Sequence, residues 1–279
     1  MEITPHIFSL IDLALAEDLG GGDITTAATI PEGSGSRAVV RAKEDLILAG
    51  LPIFRAVFAR LGGGVEFADE KGDGDKVGKG EVITRVTGAT TLLLSGERTA
   101  LNFLMRLSGI ATATGACISA VAGTKARIVD TRKTTPGWRY LEKYAVRMGG
   151  GNNHRYSLSD GVLIKDNHIT ASGGIRNAVA RARERAPHTS KIEVEVKNKA
   201  EIEEALAAGA DILLLDNMSP DEAAAAVRLV SGRALTEASG NMKPQTIGEY
   251  AKTGVDFISM GYLTHSARSV DINMKIEGE

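Results

Sequence analysis

The chain has 279 residues and a mass of 29.4 kDa, with 33 lysines and arginines against 35 aspartates and glutamates and a formal net charge of −2. An apolar content of 43% with 24% charged residues is ordinary globular composition and excludes disorder as the main state, and the slightly acidic balance excludes a globally basic nucleic-acid binder while leaving room for a local cationic pocket. The single cysteine, Cys117, cannot form an internal disulfide or a thiolate metal cluster, unbroken apolar runs such as Ile212 to Leu215 are too short to span a bilayer, and the cytoplasm is the expected location.

The first third reads as mixed α and β. Ile7, Leu10, Ile11, Leu15 and Leu19 recur at helical spacing, and the glycines at 20–22 stop that helix. Asp23 to Thr26 follows as a loop. Arg37 to Leu48 alternates loosely as a strand, Pro52 opens a helix where its missing N–H costs little, and the glycines at 62–64 close it. Asp73 to Val86 is predicted as strand, turn and strand, with turn glycines at Gly74, Gly78 and Gly80. A long helical tract then runs from Thr90 to Ala122, and Gly109 is expected to break it in two.

From Arg127 onward the rhythm changes. Ile128-Val129, Val162 to Ile164, Ile192 to Val196, Ile212 to Leu215, Ala234-Leu235 and Phe257-Ile258 are short branched-aliphatic runs of the kind that form buried parallel strands. Helical patterns lie between them, as at Ile175 to Ala186, Ala200 to Ala208 and Pro220 to Val230. Six such strands give a doubly wound sheet or a barrel. The strand ends decide between them. They read Asp130-Thr131-Arg132-Lys133, Lys165-Asp166-Asn167-His168, Glu195, Asp216-Asn217, Glu237 to Asn241, and Met260-Gly261. Polar groups at every strand end are the pattern of a barrel rim, whereas a doubly wound sheet concentrates them at one switch point.

Arg132, Lys133 and Lys165, with His154-Arg155 in the loop after Gly149 to Gly151, make a cationic pocket inside a net-acidic protein. Such a pocket suits a small polyanion carrying several carboxylates, phosphates or both. Glu195 and Asp216, at adjacent strand ends, could hold a divalent metal, grip sugar hydroxyls or act as acid and base. Ser239-Gly240-Asn241 and Gly261 leave backbone N–H groups free for a phosphate. His6, His188 and His265 have no partner pattern and read as structural or surface residues. Lys165 as the nucleophile of a Schiff-base aldolase is the rival chemistry on the same fold, and a non-catalytic binder of a phosphorylated dicarboxylate would use the same pocket.

The motifs in order are Glu17-Asp18 with Gly22 to Thr26, Glu97 to Asn102, Thr131 to Gly137, His154-Arg155 with Leu158 to Asp160, Leu163 to His168, Glu193 to Val196, Leu214 to Asn217, Glu237 to Asn241, and Leu263 to Ser266. In these the chain resembles the quinolinate phosphoribosyltransferase family along nearly its whole length. The resemblance implies an α/β fold: an N-terminal α/β sandwich over 1–108, joined by the C-terminal segment 266–279, and an incomplete, seven-stranded α/β barrel over 109–265, one strand more than the pattern shows. It implies that quinolinate and phosphoribosyl pyrophosphate become nicotinate mononucleotide, pyrophosphate and carbon dioxide, on the route to NAD and with Mg2+. It implies a catalytic set of Lys133, Lys165, Glu195 and Asp216. Arg98, Arg132, His154, Arg155 and Lys165 would hold the quinolinate carboxylates, with Thr131 also in the substrate site. Glu195 and Asp216 would bind ribose hydroxyls and the metal, directly or through substrate and water. Ser239, Gly240, Asn241, Met260, Gly261 and Tyr262 would line the phosphate end. The resemblance also implies a homodimer in which Arg98 enters the partner's site, with no nucleic-acid or membrane partner. The related protein found with molybdate transport genes is the alternative, and Lys165 and Asn167 favour the NAD-pathway enzyme.

Overall fold

The computed structural model describes residues 1–278. In chain order the elements are α1 (Pro5–Leu19), α2 (Ile24–Thr29), β1 (Gly35–Ala42), β2 (Leu46–Ile47), α3 (Leu51–Arg60), β3 (Glu66–Asp69), β4 (Lys76–Val77), β5 (Val82–Ala89), α4 (Thr90–Ala120), β6 (Arg127–Val129) and α5 (Arg139–Met148). They continue with β7 (Val162–Ile164), α6 (Asp166–Ser172), α7 (Ile175–Arg185), β8 (Ile192–Val196), α8 (Lys199–Ala207), β9 (Ile212–Asp216), α9 (Pro220–Val230), β10 (Leu235–Ser239), α10 (Ile247–Lys252), β11 (Phe257–Ser259), α11 (Tyr262–His265) and β12 (Ile272–Ile276). Two compact units result. One comprises residues 1–115, 136–150 and 267 onward; the other comprises 116–135 and 151–266. The division read from sequence differs from these units at 109–115 and 136–150, which fall in the first, and at Ser266, which falls in the second. The reason for the second stretch is visible in α5, where Tyr144 donates to Asp73 at 2.6 Å and Glu142 pairs with Arg106 at 3.0 Å.

The first unit is built on an antiparallel sheet in the order β12-β1-β5-β3. The C-terminal strand pairs with β1 from Ala42↔Ile272 to Ala38↔Ile276, so the last residues of the chain complete the sheet begun by the first strand. Phe54 and Phe58, one turn apart on α3, meet at 5.4 Å edge to face, and Phe67 of β3 closes the cluster at 6.2 and 6.0 Å. Asp23 to Thr26 is not a loop: Asp23 accepts the Thr26 amide at 2.9 Å and caps α2.

Helix α4 runs unbroken for 31 residues through Gly109. The glycine serves close approach instead of a break. A Cβ there would overlap the Arg268 carbonyl oxygen, and the same returning segment is tied to α4 by the Val270 amide, which donates to the Met105 carbonyl at 3.2 Å. This is also the one helix among the described residues long and apolar enough to cross a bilayer, and half of its apolar window is buried inside the fold. Its apolar residues are interleaved with Ser, Thr and Gly, so no unbroken run announces them.

The second unit is a parallel sheet in the order β6-β11-β10-β9-β8-β7. Each of β7 to β10 neighbours its successor, and the first strand pairs with the last through Ile128↔Ile258. That cyclic order is a barrel order, and it separates this unit from a doubly wound sheet. The strands β6 and β7 are not paired with each other. An isolated parallel bridge, Val129↔Asn152, lies beside β6 where the seventh strand is expected, so the described residues hold six regular strands and an opening. All five residues of β8 are buried.

Gly109→Ala should lower the free energy of unfolding. Helix propensity favours alanine by about 1 kcal/mol, but the overlap with a backbone carbonyl forces a shift that costs about 1–3 kcal/mol. A denaturant titration in which the alanine variant is as stable as the parent would show that the 267–270 segment moves aside without cost.

Candidate active site

A cavity of about 610 Å³ opens at the C-terminal ends of the second unit's strands. Its cationic wall comes from three places in sequence. Thr131, Arg132 and Lys133 follow β6, His154 and Arg155 lie in the loop ahead of β7, and Lys165 ends β7; all of them line the cavity. The Lys133 amide donates to Thr131 Oγ1 at 3.0 Å, and Thr264 Oγ1 donates to the Lys133 carbonyl at 2.7 Å, which pins the turn after β6. Lys165 sits at the N-cap of α6, where its own amide donates to His168 Nδ1 at 3.0 Å. His168 thus caps a helix and keeps the strand end in place. Burial and the like charge of Arg132 lower the pKa of Arg155.

Glu195 at the end of β8 and Asp216 at the end of β9 line the same cavity. Lys165 Nζ is 3.6 Å from Glu195 Oε2. Burial first, and the neighbouring Asp216 second, raise the pKa of Glu195, against the pull of Lys165. Two oxygen-donor groups that repel one another in a cavity are a donor set that suits a hard divalent cation.

The far end of the cavity is a turn made of backbone. After β9 and β10 the chain passes through Asn217 and Asn241, both with φ near +50° (53° and 48°), and through Gly240 with φ +99°. The Asn217 amide donates to the Ser239 carbonyl at 3.0 Å, and Asn241 Nδ2 donates to Asn217 Oδ1 at 3.3 Å. A Cβ at Gly240 would overlap the Asn217 side chain, so glycine is required twice over there, by conformation and by space. Ser239, Gly240, Asn241, Gly261 and Tyr262 line this end. So do Lys243 and His265, which the sequence did not single out. His265, expected to be structural or on the surface, is exposed at the cavity, its Nδ1 2.6 Å from Ser266 Oγ.

Two expected site residues lie elsewhere. Met260 is fully buried and does not line the cavity; its amide donates to the Val129 carbonyl at 2.9 Å and so ties β11 to β6. Arg98 is exposed on α4 in the first unit and is absent from the lining.

The wall behind the cations holds acids that sequence reasoning also missed. Asp130, fully buried at the end of β6, accepts the His154 amide at 2.8 Å and Asn153 Nδ2 at 2.6 Å. The His154 ring turns inward. Its Nδ1 accepts the Arg155 amide at 2.7 Å, and its Nε2 lies 3.2 Å from Glu193 and 3.6 Å from Glu237. The ring is therefore not the free cation that the sequence suggested. One signal could have found Glu193: it alternates with Glu195 along β8, and period two puts both on the barrel's interior face.

Two family models match the chain: Quinolinate phosphoribosyl transferase, N-terminal domain, over residues 23–108, and Quinolinate phosphoribosyl transferase, C-terminal domain, over 110–275. A Bacillus subtilis (strain 168) protein named probable nicotinate-nucleotide pyrophosphorylase [carboxylating] is 45% identical over 267 residues, covering 96% of this chain and 92% of that one. A Nicotiana tabacum protein named quinolinate phosphoribosyltransferase [decarboxylating] 1b is 42% identical over 295 residues, covering 99% of this chain and 84% of that one. The crystal structure of NadC from Streptococcus pyogenes superposes with a TM-score of 0.94 at 43% identity, covering 99% of this chain and 98% of that chain.

Asp130→Ala removes the acceptor of two hydrogen bonds in the His154 loop. It should cost about 1–3 kcal/mol of unfolding free energy and accelerate hydrogen exchange at the His154 amide. Exchange at the parent rate would show that the loop keeps its shape without this carboxylate.

Proposed function

The chain belongs to the quinolinate phosphoribosyltransferase family, and from that premise we propose how its second unit performs the family's reaction. The activity is that of a decarboxylating quinolinate phosphoribosyltransferase, a pentosyltransferase of pyridine-nucleotide and NAD biosynthesis. Quinolinate and phosphoribosyl pyrophosphate are consumed; nicotinate mononucleotide, pyrophosphate and carbon dioxide are released. The observation that carries the residue assignment is that Arg132, Lys133, Arg155 and Lys165 line one cavity together with the carboxylates Glu195 and Asp216.

Arg132, Arg155 and Lys165 hold the two carboxylates of quinolinate and aim its ring nitrogen at the anomeric carbon of the ribose. Arginine suits the planar carboxylates, and lysine adds a point charge. Ser239, Gly240, Asn241 and Gly261 cradle the 5′-phosphate through backbone N–H groups, with Lys243 and Tyr262 beside them. Lys133 faces the departing pyrophosphate. Glu195 and Asp216 bind the ribose hydroxyls, and they are the residues that would hold Mg2+, directly or through substrate and water. When bound, Mg2+ supplies neutralisation of the pyrophosphate oxygens.

As the bond from the anomeric carbon to pyrophosphate breaks, positive charge grows on the sugar, and the Glu195 and Asp216 carboxylates face it. The ring nitrogen then donates its pair to that carbon and becomes cationic. The adjacent carbon loses carbon dioxide and keeps the bonding pair, which the cationic nitrogen stabilises until a proton replaces the carboxylate. No side-chain nucleophile is needed; positioning and electrostatics suffice.

Arg98 completes the carboxylate site from the partner subunit of a homodimer. Its exposure on α4 and its absence from the cavity lining support that reading, and a twofold interface would give two equivalent composite sites. One buried cysteine suits a reducing compartment, and the cytoplasm is where we place the enzyme.

Nicotinate should be a poor substrate. It lacks one of the carboxylates, and a site that buries unpaired charge rejects such an analogue by about 10⁴-fold or more. Comparable kcat/KM for nicotinate and quinolinate would overturn the assignment of the cationic wall. The shared site is tested by mixing subunits carrying Arg98→Ala with subunits carrying Lys165→Ala. Each homodimer should be nearly inactive, because each site lacks one charge-assisted contact worth about 1.5–3 kcal/mol. The heterodimer has one intact site and should recover about half of the wild-type activity, since a twofold dimer has two equivalent sites. If mass spectrometry verifies exchange and no activity returns, Arg98 does not act across subunits.

A further inference from the structure

Beside the wall cations lie two carboxylates and an imidazole that the reaction scheme leaves without a task, and two of these, His154 and Glu237, line the cavity. Glu193 on β8 is 5% exposed and Glu237 on β10 is 4% exposed. With His154 Nε2 they place three possible ligand atoms within 4.8 Å of one another. A divalent metal is the obvious occupant for such a cluster, and the tautomer of His154 argues against it. Its Nδ1 accepts the Arg155 amide at 2.7 Å. A neutral ring that accepts at Nδ1 carries its hydrogen on Nε2, the atom that faces the acids. A metal would need a lone pair there. The cluster is built around hydrogens.

The charges can then be counted. His154 offers Nε2–H to Glu193 Oε2 at 3.2 Å, with Glu237 Oε1 further off at 3.6 Å. The Oε1 atoms of Glu193 and Glu237 and the Oγ of Ser259 are buried without a hydrogen-bond partner. The titratable groups facing Glu237 are Glu193 from β8 and His154 from the loop ahead of β7; β11 presents the Ser259 hydroxyl, and β9 presents Leu214 in register with it. Arg155 stands beyond Glu193. Two ionised carboxylates beside a neutral imidazole would be two like buried charges, of which Arg155 offsets only that of Glu193. Burial, and then Glu193, push Glu237 up to about 7.

We infer that Glu237 keeps its proton when quinolinate is bound, and that this buried carboxylic acid is a positioning residue that sets the affinity of the cationic wall for a dianion. The inference rests on the reading that Arg132, Arg155 and Lys165 hold the quinolinate carboxylates. Quinolinate brings two negative charges to that wall. An ionised Glu237, which lines the same cavity, adds a third and opposes binding; the neutral acid does not. The dianion therefore favours protonated Glu237, and binding at a pH near or above 7 draws a proton from solvent.

Calorimetric titration with quinolinate, in buffers of different ionisation enthalpy, reads the protons taken up on binding. Wild-type protein should take up a fraction of a proton per site at pH 7 and approach one at pH 8. Its quinolinate dissociation constant should rise by up to about tenfold between pH 6 and pH 8. Glu237→Gln, which imitates the neutral acid, should lose both the uptake and that part of the rise, and the KM for quinolinate at saturating phosphoribosyl pyrophosphate should follow the same pattern. His265 also lines the cavity, so the difference between wild type and variant is the quantity that counts. Wild-type binding without proton uptake overturns the inference and leaves the wall assignment standing; this measurement needs no variant, so a Glu237→Gln protein that fails to fold does not protect the idea. Equal uptake by wild type and variant overturns it too. Quinolinate that binds at no pH, with a KM insensitive to the wall cations, overturns the wall assignment and this inference together. Stoichiometric binding of manganese or zinc ions that Glu237→Gln abolishes would make the cluster a metal site and also overturn it.

Discussion

Arg132 and Arg155 line one cavity and repel one another, and polar groups around that cavity answer the repulsion. The like charge of Arg132 contributes to the lowered pKa of Arg155. Lys165 leans toward Glu195 at 3.6 Å. Glu193, buried in the wall, faces the charge of Arg155 from behind. Partial compensation of this kind keeps the site folded while leaving positive potential for a ligand. Full compensation by the protein would remove the reason to bind a dianion, and none would make burial of the cations too costly.

The opposite wall answers a different demand. The reaction creates positive charge twice, on the sugar as pyrophosphate leaves and then on the ring nitrogen. Glu195 and Asp216 are adjacent, and their mutual repulsion, with burial, raises the pKa of Glu195. A cation placed between such groups relieves repulsion that the free protein has to carry, so the charge that develops in the transition state is stabilised more than the neutral ground state. In the proposed mechanism the cations and acids of this one cavity together orient the substrate along the bond that forms. The cyclic strand order makes this possible. Groups from β6, β7, β8, β9 and β10 meet at one rim only because the first strand pairs with the last.

Close backbone packing also places glycine where a helix-propensity argument reads a break. Gly109 lies in the middle of α4, and a Cβ there would overlap Arg268. On the turn after β10, Gly240 is held by a positive φ and by the Asn217 side chain together. The first glycine admits the chain segment that leads into β12, and the second admits a backbone turn at the rim of the cavity. In both places the missing side chain is what another part of the chain occupies.

The strands of the second unit were legible in sequence because buried parallel strands are short, branched-aliphatic and bounded by polar ends, as at Val162 to Ile164 and Ile212 to Leu215. The same pattern placed Arg132, Lys133, Lys165, Glu195 and Asp216 at strand ends, and all five line one cavity. What sequence could not supply was direction and distance. Asp23 capping α2, Gly109 inside an unbroken helix and Met260 buried away from the cavity depend on which partner arrives from elsewhere in the chain. The tautomer of His154 depends on a backbone amide at its own loop and on Glu193 and Glu237, one from β8 and one from β10. Residue type and spacing determine what a side chain is able to do. Only the tertiary structure decides what it does, because burial and the neighbouring charges, which select among protonation states and hydrogen-bond partners, are properties of the assembled fold.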